Sequence, residues 1–253
     1  MNFDASSTFT ENEILAALSP DDFALLQPHL EPVTLAVRRV LEPANRKIRH
    51  NYFLSQGLAS VIAIGRNGHR LEVGLIGREG MTGLPVITGH DRSPNETFIQ
   101  VQGNGSRIKT GQLREAIEKS RSLHNALLTF VHAFLILTAH TALSNATATL
   151  EERLARWLLM AQDRLGGNEV PLTHEFLSLM LGVRREGVTV ALNALKQKGF
   201  IRLMRGCIQI VDRRTLIAAA NGSYGVPEAA KRNSSKRMGH GSTGRLRHAQ
   251  NRQ

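Results

Sequence analysis

Three consecutive charged residues, Arg184, Arg185 and Glu186, stand between a predicted turn and an apolar-periodic stretch. An arginine can hold a guanine edge through two hydrogen bonds, and a glutamate can accept a hydrogen bond from the amino group of cytosine. The same residues could also form a solvated corner between two helices. The elements that carry them decide between these interpretations.

Residues 172–213 supply those elements. Thr173 precedes a helical pattern as a candidate N-cap, and Gly182 follows it where a tight turn often needs a positive φ angle. A second helix is predicted from Arg184 to Lys198, and two short apolar strands then flank Arg205-Gly206 as a hairpin. Helix, short turn, helix and hairpin predict a winged helix-turn-helix, whose second helix enters the major groove of DNA.

The distribution of charge agrees with a polyanionic partner. The chain of 253 residues carries a net charge of +11. Residues 1–149 hold 14 Lys and Arg against 13 Asp and Glu, whereas residues 150–220 hold 11 against 7 and residues 221–253 hold 7 against 1. The basic excess therefore lies in the carboxyl-terminal half, which favours DNA first and RNA or membrane lipid second.

Composition and spacing argue against several classes of protein. The single cysteine, Cys207, excludes an internal disulfide. The polar N-terminus is no signal peptide, and the longest apolar stretch, residues 127–143, is shorter than the roughly 20 residues of a membrane span. His124, His132 and His140 lie eight residues apart and do not converge on a metal. We expect a cytoplasmic protein with no membrane partner, no metal and no cofactor, and not an enzyme.

The amino-terminal half has a different pattern. Residues 11–30 have helical spacing, with a break and a new start at Ser19-Pro20-Asp21. From about residue 33 to 109, short apolar and β-branched runs alternate with glycine-containing turns, as in the hairpin signal Gly65-Arg66-Asn67-Gly68. Many short strands of this kind predict a sandwich or roll, and the chain as a whole is predicted to be α+β.

Helical spacing returns from about residue 111. One apolar stripe steps by 4, 3, 4 and 3 residues, which is the spacing of a coiled-coil seam, and consists of Leu123, Leu127, Phe130, Phe134 and Leu137. Leu128, Val131 and Leu135 form a second stripe beside it. We predict that the first stripe is the interface of a homodimer and that the second stripe packs on the chain's own β-domain. Burial of the whole helix in a single core is the alternative.

These features together resemble the Crp/Fnr family, that of the bacterial cyclic AMP receptor protein and the fumarate–nitrate regulators. The resemblance covers roughly residues 15–217 and is strongest over residues 172–213. It implies a cyclic-nucleotide-binding-like β-roll (jelly roll), a long dimerisation helix and a winged helix-turn-helix. The expected boundaries are 11–120, 121–148 and 149–220 for these parts, followed by 221–253 as a disordered basic tail.

The resemblance also assigns residues to DNA. Thr173 corresponds to a helix cap that contacts phosphate, and Arg185 and Glu186 correspond to the family's base-reading pair. Arg184 and Thr189 complete the expected DNA contacts. The tail is polar and basic enough to remain disordered, and either adds sequence-independent attraction to phosphates or has no dedicated role.

Two positions depart from the family pattern. Val190 stands where a second base-contacting arginine is often found, and Gly187 replaces the usual Thr or Ser. The target sequence is therefore expected to differ from the family's usual one. The prediction is a bacterial transcription regulator that binds double-stranded DNA as a homodimer, with RNA polymerase as a further partner and an unidentified small effector as a possible one.

The family's effector pocket pairs a Gly-Glu with a downstream Arg-Ser. The corresponding candidates here are Gly80, Met81, Gly83, Arg92 and Ser93. Met81 occupies the glutamate position, so the contact to the ribose is lost and the pocket is expected to be degenerate. Arg92 is then either part of a site for another molecule or an ordinary surface arginine. The alternative function is a ligand-binding effector module whose output is a ligand-controlled interaction.

Overall fold

The computed structural model describes residues 11–230. The chain begins with two short helices, α1 (Glu13–Ala17) and α2 (Pro20–Leu26), and a 3-10 turn at Gln27–His29. The predicted break between the helices is confirmed, because the Ser19 hydroxyl caps α2 by accepting a hydrogen bond from the Asp22 amide.

Two antiparallel sheets follow, and their buried side chains meet in the core of a β-roll. The first sheet has the strand order β1-β7-β3 and the second the order β2-β6-β4-β5. β4 and β5 form the predicted hairpin, since Ile64 pairs with Arg70 across the glycine-containing turn. The strands are β1 (Glu31–Leu35), β2 (Val40–Glu42), β3 (His50–Leu54), β4 (Leu58–Ile64), β5 (Arg70–Ile76), β6 (Glu96–Val101) and β7 (Gly103–Lys109).

Three helices join this β-roll to the rest of the chain. A short helix α3 (Leu84–Ile87) lies between β5 and β6, and α4 (Thr110–Lys119) follows β7. The long helix α5 (Arg121–Thr147) packs against β5 and α4. The ring of Phe134 lies directly over Gly74 of β5, where any larger residue would collide with it. α5 is therefore fixed to the β-roll along one face.

The predicted assignment of the dimer seam is wrong. Its five residues are all buried inside this same chain: Leu123, Leu127, Phe130, Phe134 and Leu137. They face the β-roll core, so they are not available to a second chain. Heptad spacing indicates that a helix has an apolar partner, but it does not say whether the partner is a sheet of its own chain or another helix.

The opposite face of α5 is exposed and has the same spacing. We call it the outer stripe; its positions step by 3, 4, 3, 4, 3 and 4 residues and are Asn125, Leu128, His132, Leu135, Ala139, Ala142 and Ala146. Leu135 is 61% exposed although it lies in the middle of a long apolar helix. α5 is long and apolar enough to cross a membrane, judged by length and composition alone, whereas the apolar stretch 127–143 was expected to be too short for a span. The β-roll packs on one face of α5 and the other face has the spacing of a coiled-coil seam, which instead favours a helix that pairs with a second helix.

The winged helix-turn-helix is confirmed in residues 150–219. It also contains two elements that the sequence analysis missed, a strand β8 that completes a three-stranded wing and a final helix α9 capped by Asp212. The strand order is β8-β10-β9. The elements are α6 (Leu150–Leu165), β8 (Glu169–Val170), α7 (His174–Leu181), α8 (Arg185–Gln197), β9 (Ile201–Met204), β10 (Cys207–Ile210) and α9 (Arg213–Ala219).

The predicted start of the disordered tail at residue 221 is wrong. Residues 221–230 lie against α6, and residues 226–230 are helical. The Tyr224 hydroxyl donates a hydrogen bond to Asp163 at 2.6 Å, and Arg156 donates to the Ser223 carbonyl at 2.9 Å. These contacts satisfy polar groups of α6, which composition alone does not reveal. The remainder of the predicted tail, 231–253, lies outside the described residues.

A buried carboxylate joins the β-roll to α6. The Trp157 indole donates a hydrogen bond to Glu72 of β5 at 2.7 Å, and both side chains are buried. Burial disfavours the charged form and raises the pKa of Glu72 to about 7, although hydrogen bonds from Ser60 and Trp157 oppose the shift. Because the folded-state pKa lies above the ordinary value of 4.5, the stability that protonated Glu72 contributes is fully present below pH 4.5 and is lost as the pH rises through 7.

Replacing Glu72 with Gln should therefore remove a pH dependence. E72Q keeps an acceptor for the Trp157 indole but cannot ionise, so its free energy of unfolding should exceed that of the wild type by about 1–3 kcal/mol at pH 8 and by less at pH 5. Chemical denaturation at pH 5, 6, 7 and 8 measures the difference. The exposed Glu118→Gln variant is the control. Parallel profiles for wild type and E72Q would contradict the expectation.

Candidate nucleic-acid interface

The first helix of the motif, α7, is fixed at both ends by local interactions. The Thr173 hydroxyl accepts a hydrogen bond from the Phe176 amide at 3.4 Å, so Thr173 is the N-cap. Gly182 ends α7 with a φ angle of +63°, and a Cβ atom there would lie 2.7 Å from the Leu71 side chain of the β-roll. A side-chain N-cap and a positive φ angle each favour these residue types, so the motif could be predicted from the sequence.

The second helix, α8, begins at Arg185, one residue later than predicted, with Arg184 as its N-cap residue. Its buried face packs on α6 and α7 and consists of Val188, Ala191, Leu192 and Leu195. This packing turns the opposite face of α8 to solvent, together with the amino-terminal residues Arg184, Arg185 and Glu186.

Electrostatics sets these amino-terminal residues apart from ordinary helix residues. A helix start carries a partial positive charge, so Glu186 is favourable there and two arginines are unfavourable, by roughly 0.3–1 kcal/mol each. Within residues 11–230, neither Arg184 nor Arg185 has an ion-pair partner that would offset this repulsion. A negatively charged partner from outside the chain would do so.

Thr189, the remaining predicted contact, is already engaged within the domain. Its hydroxyl donates a hydrogen bond to the Arg185 carbonyl at 3.0 Å and lies 3.2 Å from Nδ1 of His174. The hydroxyl therefore ties α8 to α7.

The wing adds two basic residues that the sequence analysis missed. Arg202 lies on β9, and Arg205 lies in the turn between β9 and β10; both are exposed. The signal that could have identified them is the hairpin itself, because a wing places its turn beside the recognition helix.

The β-roll covers part of α7. The ring of Phe176 stacks on Phe98 of β6, with ring centroids 6.2 Å apart. The Arg38 guanidinium lies 5.6 Å from the centroid of the Phe176 ring and forms an ion pair with Glu175 at 3.0 Å. The helix-turn-helix is thus docked on the four-stranded sheet through its first helix, while the amino-terminal end of α8 remains exposed.

The candidate effector residues are mostly packed in the interior. Met81 is fully buried, and Gly80 lies against the Phe130 ring of α5, with no space for a side chain. A Cβ atom at Gly83 would overlap the Asn51 side chain. Ser93 is buried, and its hydroxyl accepts a hydrogen bond from the Asn95 amide at 3.0 Å. The loop therefore leaves no room for a ligand at these four positions.

Arg92 lies apart from them, on the surface. Its side chain is 64% exposed, and it lines an open cavity of about 540 Å³ whose other basic residues are Arg46, Lys47, Arg49 and His50. Nearby, Asp91 lies 3.8 Å from Arg92 and 4.0 Å from Lys47, which leaves the cavity with a basic excess. This arrangement could hold a small anion.

Glu79 lies close in sequence to the candidate effector residues but forms an ion pair within the chain. Its carboxylate lies 2.7 Å from the Arg164 guanidinium of α6, and both side chains are buried. The loop that corresponds to the effector loop is therefore tied to the helix that carries the winged domain. Within residues 11–230, no group of three or more His, Cys, Asp or Glu side chains is arranged to hold a metal ion.

Comparison with known proteins agrees with this architecture. Residues 152–219 match the Crp-like helix-turn-helix domain. No curated protein sequence matches the chain.

Several solved structures share the fold. A protein of Eubacterium rectale described as a Crp/Fnr-family transcriptional regulator is 18% identical, with a TM-score of 0.65 over 83% of this chain and 98% of its own. FixK2 of Bradyrhizobium japonicum is 16% identical, with a TM-score of 0.66 over 75% and 96% of the two chains. A Crp/Fnr-family regulator of Thermus thermophilus is 21% identical, with a TM-score of 0.62 over 76% and 100%.

Proposed function

We propose that the chain is a Crp/Fnr-type transcriptional regulator, whose residues 152–219 match the Crp-like helix-turn-helix domain, and that it binds double-stranded DNA as a homodimer through the amino-terminal end of α8. The domains are 11–120 for the β-roll, 121–148 for the dimerisation helix and 149–220 for the DNA-binding part, with residues 221–230 packed onto the last. The site of action is the cytoplasm, where bacterial DNA lies. RNA polymerase is its further partner.

The observation that carries the proposal is the exposed pair Arg185 and Glu186 at the start of α8. The pair has the chemistry to read a guanine and a cytosine, and recognition helices use their amino-terminal residues for such contacts. Phosphate contacts come from Thr173 at the start of α7, from Arg184, and from the wing residues Arg202 and Arg205.

The outer stripe of α5 supports the dimer. Its spacing is that of a coiled coil, and in a parallel pair identical residues of the two chains would face each other. Leu128 and Leu135 supply the apolar contacts, while the polar Asn125 restricts the register of the two helices. The three alanines in the second half of the stripe allow the helices to approach closely.

A dimer of this kind predicts the form of the target. Its two copies of α8 are related by a two-fold axis, so they enter successive major grooves about 34–36 Å apart. The operator is then a pair of inverted half-sites.

A second candidate function is favoured by one observation, the basic cavity around Arg92. In this alternative the β-roll is an effector module that binds a small anion, and ligand binding controls its interactions. The family's nucleotide contact at the position of Met81 is missing, so a cyclic nucleotide is a poor fit.

Arg185 is the first residue to test. R185A should lower the affinity for a selected operator by about 1–3 kcal/mol per base contact and leave weak, salt-sensitive binding. R185K, which keeps the charge but not the bidentate geometry, should also lose specificity. R214A removes an exposed arginine of the same domain on α9 and is the control. Unchanged sequence preference of R185A in an anisotropy titration would exclude base reading by this residue.

Leu135 tests the dimer. L135E places a charge at the centre of the outer stripe, so the protein should sediment as a monomer and bind a two-half-site operator at least tenfold more weakly. I217E changes an exposed apolar residue on α9 and should remain dimeric. A wild-type sedimentation coefficient for L135E would place the interface elsewhere.

Calorimetry with cyclic AMP and cyclic GMP tests the cyclic-nucleotide form of the second candidate. We expect no micromolar binding of either nucleotide to the full chain, because the ribose-binding glutamate is replaced by buried Met81. Micromolar binding that R92A abolishes would instead establish the β-roll as a nucleotide-controlled module.

A further inference from the structure

Val190 is the apolar exception on the outward face of α8. The exposed positions of this helix are Arg185, Glu186, Thr189, Val190, Asn193, Lys196 and Gln197, and Val190 is the one hydrocarbon side chain among them. It is 70% exposed, the highest fraction among the large apolar side chains that lie exposed in residues 11–230.

Folding of the chain does not explain this placement. An exposed valine gains little from burial, and its branched side chain loses rotamer freedom in a helix, so it is a weaker helix former than alanine or lysine. Single exposed apolar residues are common on protein surfaces and need no special cause. What distinguishes Val190 is its place on the surface that faces DNA.

That place follows from helix geometry. Val190 comes four residues after Glu186, so it lies one turn further along the same face, about 6 Å along the helix axis. The buried residues Val188, Leu192 and Leu195 mark the opposite face. Val190 is therefore close to the middle of the outward face of α8.

Its neighbour Thr189 reinforces the apolar character. The Thr189 hydroxyl is already bonded to the Arg185 carbonyl and close to His174, so it is engaged inside the domain. With its hydroxyl engaged, Thr189 has fewer hydrogen bonds left to offer to a base beside Val190.

Among the groups on the base edges, the one that matches the apolar side chain of Val190 is the C5-methyl group of thymine. It is the one apolar group in the major groove, and small apolar side chains contact it in known complexes. An amino group, carbonyl oxygen or ring nitrogen of a base edge would lose hydrogen bonds with water against Val190 without gaining a partner.

We propose that Val190 makes each half-site specific for a thymine by packing against its C5-methyl group, next to the bases read by Arg185 and Glu186. The inference rests on the proposed function, since it requires α8 to lie in the major groove. It goes beyond the proposed function by naming thymine as the base of each half-site that lies opposite Val190.

The test begins with the full-length protein and a library of randomised DNA duplexes. Selection yields the preferred duplex, and each of its thymines is then replaced in turn by uracil, which lacks only the C5-methyl group. For the wild type, each half-site should contain one thymine whose replacement by uracil weakens binding about fourfold, the value for one buried methyl-sized group. The other uracil positions should have little effect.

Variants connect this penalty to Val190. V190A removes the contact in both half-sites, so it should bind the thymine duplex about fourfold more weakly for each half-site, or about 16-fold in all, and the uracil substitution should then cause no further loss. The exposed Val37 of the β-roll provides the matched control, and V37A should retain the full penalty. Circular dichroism checks that V190A is folded, which its exposed position and higher helix propensity favour.

Different outcomes would contradict the proposed function and the role of Val190. Selection of no two-fold symmetric site would overturn the proposed function itself. A symmetric site that contains no thymine sensitive to uracil, or a uracil penalty that persists unchanged in V190A, would overturn the role of Val190 while leaving the proposed function intact.

Discussion

The constraint on which the rest of the structure depends is that α5 is apolar on two faces and its own chain covers one. The rings of Phe130 and Phe134 lie against glycines of the β-roll, so the helix cannot turn its other face inward. The outer stripe is thereby held in solvent along most of a 27-residue helix. This exposed stripe is the face that the proposed dimer would cover, because a second copy of the same helix satisfies the spacing of its residues.

The position of the winged domain follows from the end of this helix. Only two residues separate α5 from α6, and Thr149 and Glu152 close a capping box at the start of α6. Arg153 then donates to Asn145 of α5 at 3.0 Å, and Arg156 donates to Thr141 at 3.2 Å. The path from α5 to α8 is therefore short and cross-linked, so in the proposed dimer the separation of the two copies of α8 is set by α5.

The sequence was most informative where local interactions decide the structure. Thr173 and Gly182 act within their own turn, and the alternation of the wing strands needs only adjacent residues, so the motif could be predicted down to the start of α8. The stripes of α5 could not be assigned, because the choice of partner depends on β-roll residues that are distant in the chain, such as Gly74 under Phe134 and Gly80 against Phe130. The same limit applies to Glu79, whose partner Arg164 is distant in sequence, and to the contacts of residues 221–230.

The contacts between the β-roll and the winged domain are of unequal strength, and this bears on how DNA can be reached. Glu72 with Trp157 and Glu79 with Arg164 are buried, and breaking a buried pair leaves an uncompensated polar group, at a cost of about 3–5 kcal/mol for an ion pair. The contacts of α7 are weaker: an aromatic pair contributes about 0.5–1.5 kcal/mol, and the exposed pair of Arg38 and Glu175 contributes about 0–1 kcal/mol. α7 also has an apolar attachment, because its buried Met180 packs on Ser60 of β4, with the sulfur 3.5 Å from the hydroxyl. α6 is therefore held to the β-roll by buried polar pairs and α7 by apolar, aromatic and exposed ionic contacts. In the proposed complex, DNA that needs space beside Thr173 would have to compete with the contacts of α7, whereas moving α6 would require the two buried pairs to be broken.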